Sequence, residues 1–103
     1  MKRAETVRTL LKDLSSPEKV RGVGAEAAGI PFEPGCGEVH FEVLAAFRRA
    51  GVRDAAYGAF LMRELARIAY PAEDDRARAI LAYAAADGVD EAEWQAGLAV
   101  LRK

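Results

Sequence analysis

The chain holds one cysteine and one histidine, and they stand four positions apart in Cys36-Gly37-Glu38-Val39-His40. This stretch lies where a loop rich in Pro and Gly enters an expected helix. A thiol at a helix N-terminus is favoured as the thiolate by the partial positive charge there. An imidazole one turn further on would begin a nucleophile–base pair. Cys36 and His40 are therefore the candidate catalytic residues, for a nucleophilic or redox thiol. Glu33, Glu38 and Glu42 oppose this chemistry, because nearby carboxylates raise a thiol pKa. No third group that would orient His40 is identifiable. A closed zinc site needs four ligands, and Cys36 and His40 supply two. No metal site and no cofactor are assigned.

A second set is cationic. Arg48, Arg49, Arg53, Arg63 and Arg67 fall on two consecutive expected helices, and Arg63 and Arg67 share a face at i, i+4. Lys2, Arg3, Arg8 and Lys12 add positive charge near the N-terminus. Together these residues could form a phosphate-binding stripe, with the close turn at Gly51 mimicking a helix-turn-helix. Asp54 and Glu64 offset part of that charge. The acidic set Glu73, Asp74, Asp75, Asp87, Asp90, Glu91 and Glu93 balances it. Much of this set sits at expected helix N-termini, where carboxylates are favoured anyway. Opposite polarity in different chain regions suits self-association or docking on a charged protein partner. Other signatures are missing: Gly22-Val23-Gly24 lacks the third glycine of a dinucleotide fingerprint, and there is no P-loop, His-Glu-x-x-His or Gly-x-Ser-x-Gly.

These groups must be held by helices. The chain has 103 residues, 51% hydrophobic and 30% charged, which suits one folded domain spanning 1–103 and argues against disorder. Fifteen Lys+Arg against sixteen Asp+Glu leave a net charge of -1, so no global basic field drives nonspecific nucleic-acid binding. The longest uncharged apolar run, Ala79 to Ala86, is far short of the ~20 residues a bilayer needs, so no membrane association is expected. A lone cysteine excludes an internal disulfide, and the N-terminus lacks the apolar core of a signal peptide. A cytoplasmic location follows as the expectation. Abundant Ala with few Val, Ile and Thr favours helix over strand.

Val7, Leu10, Leu11 and Leu14 give a first helical face. Ser16 caps a second helix, with Pro17 at its first position. Gly22 and Gly24 would let another helix come close, and Gly29 suits a left-handed cap. A third helix over Glu38 to Ala50 places Val39, Val43, Phe47 and Ala50 in register, and Gly51 ends it. A fourth starts near Val52, with Tyr57, Phe60, Leu61, Met62, Leu65 and Ile68 over a wide arc. A fifth, about Ala72 to Ala86, buries Ala77, Ile80, Leu81 and Ala84. A sixth opens with Asp90 as cap and Glu93 reaching back, a capping box, while Val89 and Trp94 close a hydrophobic staple. The expectation is an all-α fold of five to six short helices, arranged as three hairpins with a loose period of 30–35 residues.

The first hairpin, Leu10-Leu11-Lys12-Asp13-Leu14-Ser15-Ser16-Pro17-Glu18-Lys19-Val20-Arg21 and on to Gly29, resembles a HEAT-type repeat. In that family a leucine-rich helix, a short Asp/Ser/Pro turn and a Val-Arg pair precede a second, Ala-rich helix. Val52-Arg53-Asp54-Ala55-Ala56 loosely repeats the Val-Arg start. The resemblance implies a binding scaffold, as a compact bundle or a short HEAT-like stack. A shorter stretch, Ala86-Asp87-Gly88-Val89-Asp90-Glu91-Ala92-Glu93, is similar to junctions in tellurite-resistance TerB-type helical domains, which can collect metal on acidic loops. A glycine stop and a capping box account for the same letters. The functional expectation is a non-enzymatic protein-interaction or adaptor module. The alternatives are a nucleic-acid-binding domain using the arginine cluster, and a thiol-dependent role at Cys36 and His40.

Overall fold

The computed structural model describes residues 2–32, 37–68, 75–86, 89–92 and 95–96. Five α-helices are described in full: α1 (Lys2–Leu10), α2 (Pro17–Ala27), α3 (Val39–Ala50), α4 (Ala55–Ile68) and α5 (Asp75–Ala86). No strand occurs among the described residues. The all-α expectation is borne out. The stretch expected as a sixth helix falls largely outside the described residues. Its start is visible: Asp90 accepts from the backbone N–H of Ala92 at 2.9 Å, the side-chain cap expected there. Glu93 and Trp94, the other halves of the box and the staple, lie outside the described residues, as do positions 72–74 of the expected fifth helix.

The punctuation of the helices follows backbone chemistry. Ser16 caps α2 by accepting from Lys19 N–H, and Pro17 occupies the first turn. Gly51 ends α3 at φ +68, the left-handed region that glycine enters without a Cβ penalty. Its N–H donates to Arg48 O, and Val52 N–H donates to Phe47 O, satisfying two carbonyls that the helix end leaves open. Two boundaries differ from expectation. The fourth helix begins at Ala55, because the Asp54 carboxylate accepts from the N–H groups of Ala56 and Tyr57 at 3.0 and 3.4 Å. The first helix ends at Leu10, where Lys12 and Asp13 turn through i→i−3 bonds to Thr9 and Leu10. Val7 is therefore buried with Ala4, Leu10 is 39% exposed, and Leu11 and Leu14 pack only partly on the core.

Gly29 also departs from the expected role, since Gly51 is the only described glycine at positive φ. Instead, Gly29 leaves room for Arg3. Its carbonyl accepts from Arg3 Nη1 at 3.1 Å, and a Cβ there would lie 1.9 Å from that nitrogen. Of the two glycines in α2, only Gly24 mediates a close approach. A Cβ at Gly24 would come 2.3 Å from Asp54 Oδ2, whereas Gly22 faces open space.

Helices α1 and α2 pack closely as a pair, as do α4 and α5, and α3 contacts α1, α2 and α5. The expected hairpin of α3 with α4 about Gly51 does not form: no Cα of α3 comes within 8 Å of one in α4, α4 pairs with α5 instead, and large side chains fill the space between α3 and α4. The core takes Val20, Val23 and Ala27 from α2, Val39, Val43 and Phe47 from α3, Leu61, Met62 and Leu65 from α4, and Ile80 and Ala84 from α5. Ala50, expected on the inner face of α3, is exposed. The radius of gyration is 12.9 Å, matching the ~13 Å of a compact domain of this length. No helix among the described residues is long and apolar enough to cross a membrane.

Candidate functional site

His40 sits at the centre of an aromatic cluster and is fully buried. Phe32, Tyr57 and Phe60 place their rings 5.6, 5.7 and 5.6 Å from its own. Phe47 and Tyr83 extend the cluster through Tyr57, at 6.0 and 6.3 Å. Both imidazole nitrogens are engaged. Nε2 lies 2.9 Å from the carbonyl oxygen of Ile30, and Nδ1 lies 2.6 Å from the hydroxyl of Tyr57. A carbonyl can only accept, so Nε2 carries the hydrogen of the neutral ring. Nδ1 is then the acceptor, and the Tyr57 hydroxyl donates to it.

The electrostatics agree with this assignment. Burial holds the His40 pKa below its ordinary value, although the Ile30 carbonyl and the Glu64 charge act the other way. Burial also pushes the Tyr57 hydroxyl well above its usual 10.0, with the neighbouring Tyr83 adding to the effect. The ring is neutral and the phenol protonated, each satisfying the other. A general base needs a nitrogen that can reach a substrate. The geometry of His40 accounts for it as a hub joining the α2–α3 connection, α3 and α4. Cys36 lies outside the described residues.

The five arginines occupy three settings. Arg48 and Arg53 line one groove, between α3 and α5. Arg49 lines a separate surface with Arg8 and Lys12, where Arg8 is tied to Glu42 at 2.9 Å. Arg67 on α4 is paired with Glu64 at 2.6 Å, and Arg63 lies on the same helix. Arg48 and Arg49 belong to the last turn of α3, where cations favour the negative helix end. Among the described residues, Arg48, Arg49 and Arg53 form no salt bridge. The acidic positions split similarly: Asp90 and Glu91 are exposed, while 73–74, 87 and 93 lie outside the described residues. No group of three or more metal-ligating side chains occurs among the described residues.

The α3–α5 groove encloses about 320 Å³ and is floored by Phe41, Leu44, Ala45, Ala79 and Ala82. Arg48 and Arg53 flank that floor, and Tyr83 lines it as well. The Arg53 guanidinium stands over the Tyr83 ring, 5.3 Å from its centre, a cation–π arrangement that holds the charge in place. The Tyr83 hydroxyl in turn accepts from Asp54 N–H at 3.1 Å. One end of the groove is thus fixed by a chain of contacts from α5 to the start of α4. The sequence gives no hint of this groove. Ala45, Ala79 and Ala82 are exposed alanines on outer helix faces, and periodicity registers only inward ones. The joining of Arg48 to Arg53 was legible, because a tight turn at Gly51 separates them.

No protein-family model, curated protein or solved structure matches this chain.

Proposed function

We propose that the protein is a cytoplasmic, non-enzymatic interaction module that binds another protein in the α3–α5 groove. The observation that carries this reading is an apolar floor of Phe41, Leu44 and three alanines, flanked by two arginines that form no salt bridge among the described residues. Such a surface matches protein recognition, in which an apolar centre is ringed by charge and Arg is enriched. Among the described residues it presents no convergent set of buried polar groups such as a small-molecule site needs, and the Tyr83 hydroxyl is already engaged. The division of the arginines over three settings favours a protein partner over a phosphate stripe. The tight α1–α2 pair, with its Asp13-Leu14-Ser15-Ser16-Pro17 turn, is consistent with one HEAT-like hairpin within that scaffold.

A displayed library of helical peptides selected against the protein tests the reading. Ala45 and Ala82 are exposed, so Ala45→Trp and Ala82→Arg fill the groove without entering the core. Selected peptides are expected to shift the backbone amide resonances of Ala45, Arg48 and Ala82 and to lose binding to both variants. Binders that ignore both substitutions would overturn the reading. So would a DNA or RNA oligonucleotide whose binding collapses between 50 and 200 mM salt and depends on Arg49 and Arg63 as much as on Arg48, because that salt response marks phosphate contacts, about tenfold or more across that range.

A further inference from the structure

We infer that the partner's binding segment is an acidic amphipathic helix, seated with its apolar face on Leu44 and Ala82 and its carboxylates on Arg48 and Arg53. This rests on the interaction reading above and specifies its chemistry. Three observations support it. The groove runs between α3 and α5, a setting into which a third helix can lay one face. Three of its lining residues, Ala45, Ala79 and Ala82, are alanines, which leave room between Phe41, Leu44 and Tyr83 for a partner's Leu, Ile or Phe side chains. Among the described residues its charge is of one sign: Arg48 and Arg53 line the groove, and no described carboxylate does. Arg53 is also held over Tyr83, so less side-chain freedom is lost when it meets a carboxylate. A basic or neutral helix would leave both cations facing apolar or like-charged surface, which costs affinity and sets specificity.

The probe is a designed helical peptide with Leu on one face and Glu flanking it, alongside twins in which Gln or Lys replaces every Glu. Isothermal titration at low and high salt supplies affinities, and amide shifts locate the site. The Glu peptide is expected to bind in the groove, the Gln twin about tenfold more weakly, and the Lys twin not measurably. Arg48→Gln and Arg53→Gln are each expected to abolish most of the difference between the Glu and Gln peptides, with circular dichroism melting lowered only slightly, because both side chains are exposed and each gives up only a surface helix-end or cation–π interaction. Arg53→Lys keeps the charge but not the planar contact with Tyr83, and is expected to retain only part of the preference.

Equal binding of all three peptides in the groove would overturn the acidic-partner inference while leaving the interaction reading in place. No groove shift with any peptide, when library-selected binders also avoid it, would overturn both. Self-association that Ala82→Arg abolishes, measured by sedimentation across concentration, would assign the groove to a second copy and overturn the inference.

Discussion

Tyr57 on α4 donates its hydroxyl hydrogen to Nδ1 of His40 on α3 across 2.6 Å, inside a core that leaves neither side chain more than 1% exposed. Helices α3 and α4 do not pack backbone to backbone. This pair, with the rings of Phe47 and Phe60, is what fills the space between them. The second nitrogen of His40 then fastens the chain at Ile30, just after α2. One side chain therefore joins three parts of the fold. Tyr57→Phe keeps the ring and removes the donor, leaving Nδ1 as a buried acceptor with no partner. That group's desolvation is uncompensated, so a loss of about 1–3 kcal/mol is expected. Urea denaturation measures it. A loss below about 0.5 kcal/mol would show that the hydroxyl contributes nothing specific.

Acid should destabilise the protein before its carboxylates titrate. Burial lowers the pKa of His40 in the folded state. The unfolded chain takes up a proton on this ring near the ordinary 6.5. Below that pH the unfolded state binds more protons than the folded one, so stability falls as pH falls. The contribution is complete above about pH 6.5 and is lost as pH drops from there toward the depressed folded value, with a limiting slope of about 1.4 kcal/mol per pH unit. Protonation would also put a hydrogen on Nδ1 facing the Tyr57 donor. Denaturation midpoints between pH 7.5 and 5.5 should therefore decline in the wild type. His40→Phe, though less stable at neutral pH, should give a flat profile over that range. An equal slope in both proteins would place the titrating group elsewhere.

The helices were legible because their signals are local. Ser16-Pro17, Gly51 and Asp90 act through bonds to residues two to five positions away, and the structure shows each in its expected role. The inward faces of α4 and α5, and that of α3 apart from Ala50, follow from periodicity. What escaped the sequence is long-range. Asp54 reads equally well as an interior residue of a helix begun at Val52, and only its cap bonds to Ala56 and Tyr57 fix the boundary. His40 lies 17 positions from Tyr57, a separation with no periodic signature, whereas Cys36, four positions away, is the partner that sequence proximity suggests. Gly29 carries the letters of a left-handed cap, yet its small size serves Arg3, 26 positions away.

The two glycines of α2 give the sharpest separation between local propensity and tertiary contact. Both sit in a helix, where Ala is favoured over Gly by up to about 1 kcal/mol. Gly22 faces open space within 4 Å, so Gly22→Ala should stabilise the protein by about 0.4–1 kcal/mol. Gly24 is buried against α4. An added Cβ would stand 2.3 Å from Asp54 Oδ2 and 3.3 Å from Tyr57 Cβ. Asp54 cannot swing aside freely, because its other oxygen caps α4 and its N–H donates to Tyr83. Tyr57 Cβ moves only with its backbone. Gly24→Ala should therefore cost about 1–3 kcal/mol, the range for overpacking a close contact, despite the gain in helix propensity. Thermal unfolding of the two single variants checks the opposite signs. If Gly24→Ala proved as stabilising as Gly22→Ala, α2 and α4 would not meet at this point, and the packing of the first pair of helices on the second would have to be redrawn.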